Sequence, residues 1–375
     1  MSAGELRDRM VDGLLSAGAV RPGPVADAVR AVPRHLFLPG VDPAAAYEDK
    51  AIPTKWAEDG RPTSSSSQPA IVAAMLVQLG VRPGQRVLEI GSGTGWNAAL
   101  LDHLVGPGGA VTTVDIDAEV AGQAVRNLAA AGAGPVRVVR GDGAAGWPDG
   151  APYDRIILTA AARDLAPAWW AQLAPDGRLV LPLALRGSQR SVAFERAADG
   201  GLASVSIVDC GFMPMQGELA GSDPIRPFGP PGQFLLVEQP PVDLGALLAA
   251  LEDGPVLSVP VDVSRREAMT GLRTWLALHE PAAGDLLRLE DRDRGPVPVL
   301  VGPEGFAALG GSTEVRGYGV DADALVARLL DHVRDWCDAG RPGSDRLRIR
   351  AYPAGTEVAG PTIDRPHTRS RVEWV

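Results

Sequence analysis

The chain has 375 residues, 45% of them hydrophobic and 22% charged, with a formal net charge of -10. That length implies two domains, and the acidic balance disfavours a general nucleic-acid binder, which needs positive charge against phosphates. Two cysteines, Cys210 and Cys337, make neither a disulfide framework nor a metal set, and read as buried thiols in a reducing compartment.

The first residues, SAGELRDRM, are charged at once and lack the apolar core of a signal peptide. No apolar run reaches the roughly 18 residues of a membrane helix, so a cytoplasmic protein is expected. Lys50 and Lys55 are the only lysines against abundant arginine, a bias read as genomic and without chemistry.

Taken in chain order, Ser2 to about Ala17 predicts a helix, with Leu6, Met10 and Leu14 on one stripe and capping-box spacing between Ser2 and Glu5. AVPRHLFLPG turns at its prolines. RPTSSSSQP (61–69) puts four serines between two prolines, which suits either a flexible linker or a polar lip over a site. A helix follows, with Pro69 in its first turn and IVAAMLVQL apolar throughout.

Strands and helices then alternate. RVLEI (86–90), AVTTVDI (110–116), VRVVRGD (136–142), YDRIILTAA (153–161) and RLVLPLA (178–184) read as strands; WNAALLDHL, AEVAGQAVRNLAAAG and LAPAWWAQLA read as helices. This pace implies a parallel sheet covered on both faces, with ligands at the carboxyl ends of its strands. SDPIRPFGPPG (222–232) reads as a linker, and 233–375 as a smaller C-terminal α/β (α+β) domain. Its clearest helix is DADALVARLLDHVRDWCDAG, with Leu325, Leu329, Val333 and Trp336 on one stripe and Gly340 as stop signal.

VLEIGSGTGWN carries the most chemical information. A strand ends in Glu89, and Gly91, Gly93 and Gly95 follow at alternate positions, allowing a tight turn and close backbone approach to a ligand. The dinucleotide fingerprint G-x-G-x-x-G would need glycine where Trp96 stands. An acid ahead of the loop can instead balance the ammonium group of S-adenosylmethionine, so the loop fits that cofactor better than NAD. Asp115, 20 residues after Gly95 at the next strand end, can accept both ribose hydroxyls. In GDG (141–143), Asp142 can accept the adenine amino group, with the Gly143 N–H toward a ring nitrogen.

These motifs, with VPRHLFLP (32–39), AYEDKAIP (46–53), SQPAIVAAML (67–76), GWPDGAPYDRIILTAA, LAPDGRLVLPL and FMPMQGEL, resemble the protein-L-isoaspartate O-methyltransferase family over about residues 5 to 220. The resemblance implies a Rossmann-like class I S-adenosylmethionine-dependent methyltransferase fold. It also implies methylation of the free carboxylate of an isoaspartyl residue, the ester then closing to a succinimide (aspartimide), with S-adenosylhomocysteine as coproduct. The family's T-I-S-Q-P places its serine beside the transferred methyl. Ser67 matches that serine, while Ser65 and Ser66 fall on the threonine and isoleucine, so the serine run becomes a polar active-site lip. The cofactor-binding set so implied is Ser65, Ser66, Glu89, Gly91, Ser92, Gly93, Gly95, Asp115, Ile116, Asp142, Gly143 and Gln216, with no metal.

A carboxylate acceptor, with a pKa of roughly 4, is already ionised at pH 7 and needs no general base. Ser67 is therefore expected to orient the acceptor rather than to attack. The extra C-terminal length resembles members that modify ribosomally made peptides, lanthipeptides or graspetides, and implies a peptide-tailoring enzyme; general isoaspartyl repair is the runner-up. A small-molecule methyltransferase and a cofactor-binding recognition module without catalysis are more distant readings. Arg346, Arg348 and Arg350, with Arg365, His367, Arg369 and Arg371, form two alternating basic faces that either meet an acidic peptide or pair with local acids.

Overall fold

A computed structural model describes the chain except residues 59, 187, 222–224, 231, 238–242, 289–295, 311–313 and 361. Two units result. One comprises Met1–Leu183, Ser191–Ala220 and Ile349–Arg371; the other comprises Ala184–Arg190, Gly221–Arg348 and Val372–Val375.

In the first unit, helices α1 (Ala3–Ser16), α2 (Pro24–Ala31) and α3 (Pro43–Ala46) precede a hairpin of β1 (Ile52–Trp56) and β2 (Pro62–Ser66). Ser2 caps α1 and closes the capping box with Glu5, while Met10, Val11 and Leu14 are buried. Helix α4 (Pro69–Leu79) follows the hairpin and ends at Gly80, whose φ of 61° only glycine adopts readily. Its uniformly apolar sequence is explained by packing: Val72, Ala73, Met75, Leu76 and Leu79 all enter the main core.

Next come β3 (Arg86–Ile90), α5 (Trp96–Val105), β4 (Ala110–Asp115), α6 (Ala118–Ala130), β5 (Arg137–Arg140), β6 (Tyr153–Leu158), α7 (Pro167–Gln172) and β7 (Leu173–Leu185). They pair in parallel in the order β5-β4-β3-β6-β7. The chain steps outward from β3 through β4 to β5, then returns to the other side of β3 with β6. The carboxyl ends of β3 and β6 therefore flank the switch point, where such sheets bind ligands. Two strands missing from the sequence reading, β8 (Ser188–Arg196) and β9 (Leu202–Asp209), extend the sheet beyond β7.

The second unit contains a sheet of β10 (Ile225–Pro227), β11 (Gln233–Val237), β12 (Leu257–Pro260), β13 (Ala283–Arg288), β14 (Val297–Val301), β15 (Gly305–Gly310) and β16 (Glu314–Gly319), in the order β10-β11-β13-β14-β15-β16-β12. Its pairings are antiparallel, an α+β arrangement with helices α8 (Leu244–Asp253), α9 (Arg265–Glu267), α10 (Arg273–His279) and α11 (Ala322–Asp338). Leu300 and Ala307 join one core cluster with Leu329 and Trp336, whereas Val299, Val301 and Phe306 join another with Leu247. The central strands thus bury both faces, which is why PVPVLV reads as an unbroken apolar run.

Two boundaries differ from the sequence reading. Within 222–232, residues Ile225–Pro227 form a strand paired with β11 and Phe228 is buried, so this stretch enters the sheet; Ser222, Asp223, Pro224 and Pro231 lie outside the described residues. The chain end also returns to the first unit. β17 (Leu347–Pro353) pairs with β9, and β18 (Thr362–Asp364) with β19 (Thr368–Trp374) completes the ten-stranded sheet. The cause is alternation: Leu347, Ile349 and Ala351 are fully buried while Arg348 and Arg350 face outward. Cys210 and Cys337 are not joined in a disulfide and are only partly buried, where burial was expected.

Candidate active site

β3 delivers Glu89, fully buried, to its carboxyl end. Asn97, the second residue of α5, donates to Glu89 Oε1 at 2.7 Å, and Oε2 has no hydrogen-bond partner. Burial pushes the Glu89 carboxyl up to about 7, against the Thr113 hydroxyl and Asn97 amide, which favour the charged form. A buried carboxylate oxygen without a donor is costly, and it marks a place where a cation would be stabilised.

The loop after Glu89 is built for close approach. Gly91 has φ 98°, and a Cβ there would stand 2.5 Å from Thr159 Oγ1 at the end of β6. Gly93 has φ 50° and donates its N–H to Asp115 at 3.2 Å; a Cβ on it would lie 3.4 Å from the Ser65 carbonyl oxygen. Ser92 is buried and accepts from Thr113 Oγ1 at 2.9 Å. Gly95 serves helix packing, since its Cβ would meet Ala124 and Leu128 of α6 at 3.3–3.4 Å. Trp96 is buried beneath the Arg34 guanidinium, 5.2 Å from the ring centroid.

Asp115 ends β4, accepts also from the Asp117 N–H at 3.0 Å, and is pushed upward by burial. Ile116 beside it is exposed. Asp117 caps α6 and pairs with Lys55 Nζ at 2.6 Å; its carboxyl is held low by that ammonium. Lys55 belongs to β1, so a lysine read as incidental ties the hairpin to the strand ends.

Asp142 follows β5. Its two oxygens accept from the N–H groups of Ala144 at 2.9 Å and Glu218 at 2.8 Å. A Cβ on Gly143 would collide with Ile90 at 2.3 Å. Gln216 is exposed, in the turn that Glu218 anchors on Asp142.

Three of the four serines lie in a strand, not a linker: Ile52 opposes Ser66, Pro53 opposes Ser65 and Lys55 opposes Ser64, and Ser67 follows directly after its end. Ser64 and Ser66 are buried, and Ser65 and Ser67 are half-buried. Ser66 Oγ has no hydrogen-bond partner. The fold therefore gathers Ser65–Ser67, the glycine loop and Asp115 into one place, with Asp142, Gly143 and Gln216 grouped at the end of β5. Arg34, Asn97, Thr113, Lys55 and Thr159 escaped the sequence reading. Only Arg34 left a signal, a lone charge inside the apolar run VPRHLFLP. Among the described residues no His/Cys/Asp/Glu group has the arrangement of a metal site.

A parallel sheet with an acid, a glycine loop and further acids on successive strand ends is the class I methyltransferase fold, an enzyme class dependent on S-adenosylmethionine. The chain belongs to the protein-L-isoaspartate (D-aspartate) O-methyltransferase family, whose model matches residues 5–220. Its sequence is 39% identical to the protein-L-isoaspartate O-methyltransferase of Methanopyrus kandleri over 219 residues, 58% of this chain and 94% of the relative. Protein-L-isoaspartate O-methyltransferase 1 of Rhodopseudomonas palustris is 40% identical over 213 residues, 56% of this chain and 83% of its own. A solved protein-L-isoaspartate O-methyltransferase shares the fold with a TM-score of 0.54 at 23% identity, over 92% of this chain and 96% of that one.

Proposed function

We propose that this methyltransferase esterifies the side-chain carboxylate of an isoaspartyl or aspartyl residue in a peptide, and that the residues gathered above form its site. The observation that carries this reading is the packing of the serine strand on the glycine loop, with the Ser65 carbonyl oxygen 3.4 Å from where a Gly93 side chain would begin.

The residues present fit S-adenosylmethionine. Glu89 Oε2, buried and without a donor, suits its ammonium group. Gly91 and Gly93 would leave room for its backbone-sized portion, and Asp115 would accept from its ribose hydroxyls. Ile116 offers an exposed apolar surface beside Asp115 for the adenine. Asp142 keeps acceptor capacity beyond its two N–H bonds, since each carboxylate oxygen has two lone pairs. When bound, the cofactor supplies an electrophilic methyl group on sulfur. The chain aligns the acceptor and excludes water. Ser67 orients the acceptor carboxylate by a hydrogen bond from its hydroxyl, and Ser65 and Ser66 line the same lip. No proton is removed, because the acceptor enters ionised. The ester then makes ring closure easier: the next backbone nitrogen bonds to the ester carbon, the C–O bond breaks, and methanol leaves with the nitrogen's proton, giving a succinimide.

Isoaspartyl residues in unrelated peptides are the acceptor we favour. Length alone no longer points to peptide tailoring, because the likeness to a solved protein-L-isoaspartate O-methyltransferase spans 92% of this chain. The basic strand faces weaken it further: Arg350 pairs with Asp199 at 3.0 Å and Arg369 with Asp364 at 2.7 Å. Tailoring of a constrained ribosomal peptide, a lanthipeptide or graspetide, is the second reading, supported by the hydroxyl-rich lip where the family carries threonine and isoleucine. Mass spectrometry with S-adenosylmethionine decides between them. A gain of about 14 Da, one CH₂, on several unrelated isoaspartyl peptides supports repair-type activity. Methylation and methanol loss confined to one ring-containing peptide supports tailoring, and no methylation of either class sinks both.

A further inference from the structure

Arg34 is fully buried, yet it makes no ion pair among the described residues. Its guanidinium instead gathers five backbone carbonyls. Nη1 donates to Ala46 at 2.7 Å and Glu48 at 3.2 Å; Nη2 donates to Lys50 at 3.0 Å, Ser66 at 3.3 Å and Ser67 at 2.9 Å. Its flat face lies over Trp96, the first residue of the helix that leaves the glycine loop. Asp49, the acid of the neighbouring loop, is engaged elsewhere, accepting from Gln68 Nε2 and the Ala70 N–H at the start of α4. Burying a charge without a carboxylate is expensive, and a simple core position would be filled more cheaply by an apolar side chain.

We propose that Arg34 is the positioning residue of the acceptor side: it holds the Ser66 and Ser67 carbonyls at a set distance from the glycine loop by clamping them, the 46–50 loop and Trp96 together. Only a planar fork reaches these three segments at once; lysine keeps the charge but presents a single ammonium. The consequence for the reaction follows from alignment, because a shift near 1 Å in an orienting group costs on the order of a hundredfold in rate. The inference rests on the reading of Ser67 as the residue that orients the acceptor.

The test uses the full chain and Arg34→Lys, with isoaspartyl peptide kinetics, S-adenosylmethionine affinity by calorimetry and amide hydrogen exchange. Acceptor kcat/KM is expected to fall by about tenfold to a hundredfold while cofactor affinity changes less than about twofold. Exchange should quicken in 46–50 and 62–68 and stay unchanged in 86–90 and 110–115. The double variant Arg34→Lys, Ser67→Ala should be no worse than Ser67→Ala alone, because both act at one place. Additive losses, parallel loss of cofactor affinity, faster exchange throughout the unit, or unchanged kinetics overturn the proposal. If Arg34→Lys does not fold, Trp96→Phe is expected to give a twofold to fivefold loss, roughly, on the acceptor side alone; unchanged acceptor kinetics in that variant overturns it too. If the wild type methylates no isoaspartyl peptide, the functional reading fails by itself, and the exchange pattern alone judges the clamp.

Discussion

Glu89 is the residue whose environment says most about the site. With its carboxyl pushed from 4.5 up to about 7, the folded protein holds a proton there that the unfolded chain releases. The empty protein should therefore lose stability as pH rises from 4.5 to about 7, with the loss complete above that range. Glu89→Gln should abolish this trend in thermal unfolding. A cationic ligand needs the ionised form, so S-adenosylmethionine affinity should tighten between about pH 6 and about pH 8, and Glu89→Gln should weaken binding by about tenfold or more and flatten the profile. Calorimetry at several pH values checks both. Ser67→Ala should act differently, cutting methylation by about tenfold or more while cofactor affinity stays nearly unchanged; collapse of cofactor binding would show that its role is misassigned. Gly91→Ala should remove cofactor binding, because φ 98° and a neighbour at 2.5 Å leave no place for a methyl group.

At the scale of elements, the hairpin carries the serine lip. β1 and β2 make no ladder with the main sheet; among the described residues their ties to the strand ends include Lys55 on Asp117 and Glu119 at 2.6 and 2.8 Å. The pair is partly exposed and so responds to salt. Lys55→Ala should raise the acceptor KM or hasten cofactor release by about twofold to fivefold, and the wild-type sensitivity to ionic strength should disappear in the variant. Stopped-flow release of a fluorescent cofactor analogue measures this. In the sequence, the composition of RPTSSSSQP suited linker and lip alike, and only the family resemblance made it a lip; neither showed a strand, because serine carries no strong strand signal. Pairing with IPTKW across a turn made it a strand, and that pairing is a property of two segments.

At the scale of the whole molecule, the first unit depends on the far end of the chain. Ile349 and Ala351 are fully buried against β9, and Asp164 accepts from the His367 N–H at 2.7 Å and the Thr368 hydroxyl at 2.5 Å. Ile349→Ala should cost about 2–5 kcal/mol, lowering the midpoint of thermal or urea unfolding and with it the cofactor-stabilised state. An unchanged midpoint would show that β17 is dispensable to the first unit.

By itself the sequence determined the alternating strands and helices, the sheet they build and the acids and glycines on its successive strand ends. These are local patterns: hydrophobic period, capping boxes and turn glycines act within a few residues, and in a parallel sheet chain order maps onto strand ends. Only the tertiary structure decided the return of β17 to the first sheet, the strand within the stretch read as a linker, the clamp at Arg34 and the latch at Lys55. The linker strand pairs with a segment about ten residues on, whereas the other three join segments separated by tens or hundreds of residues; every such pairing is chosen by the burial and hydrogen bonding that both partners gain together, which neither segment displays alone.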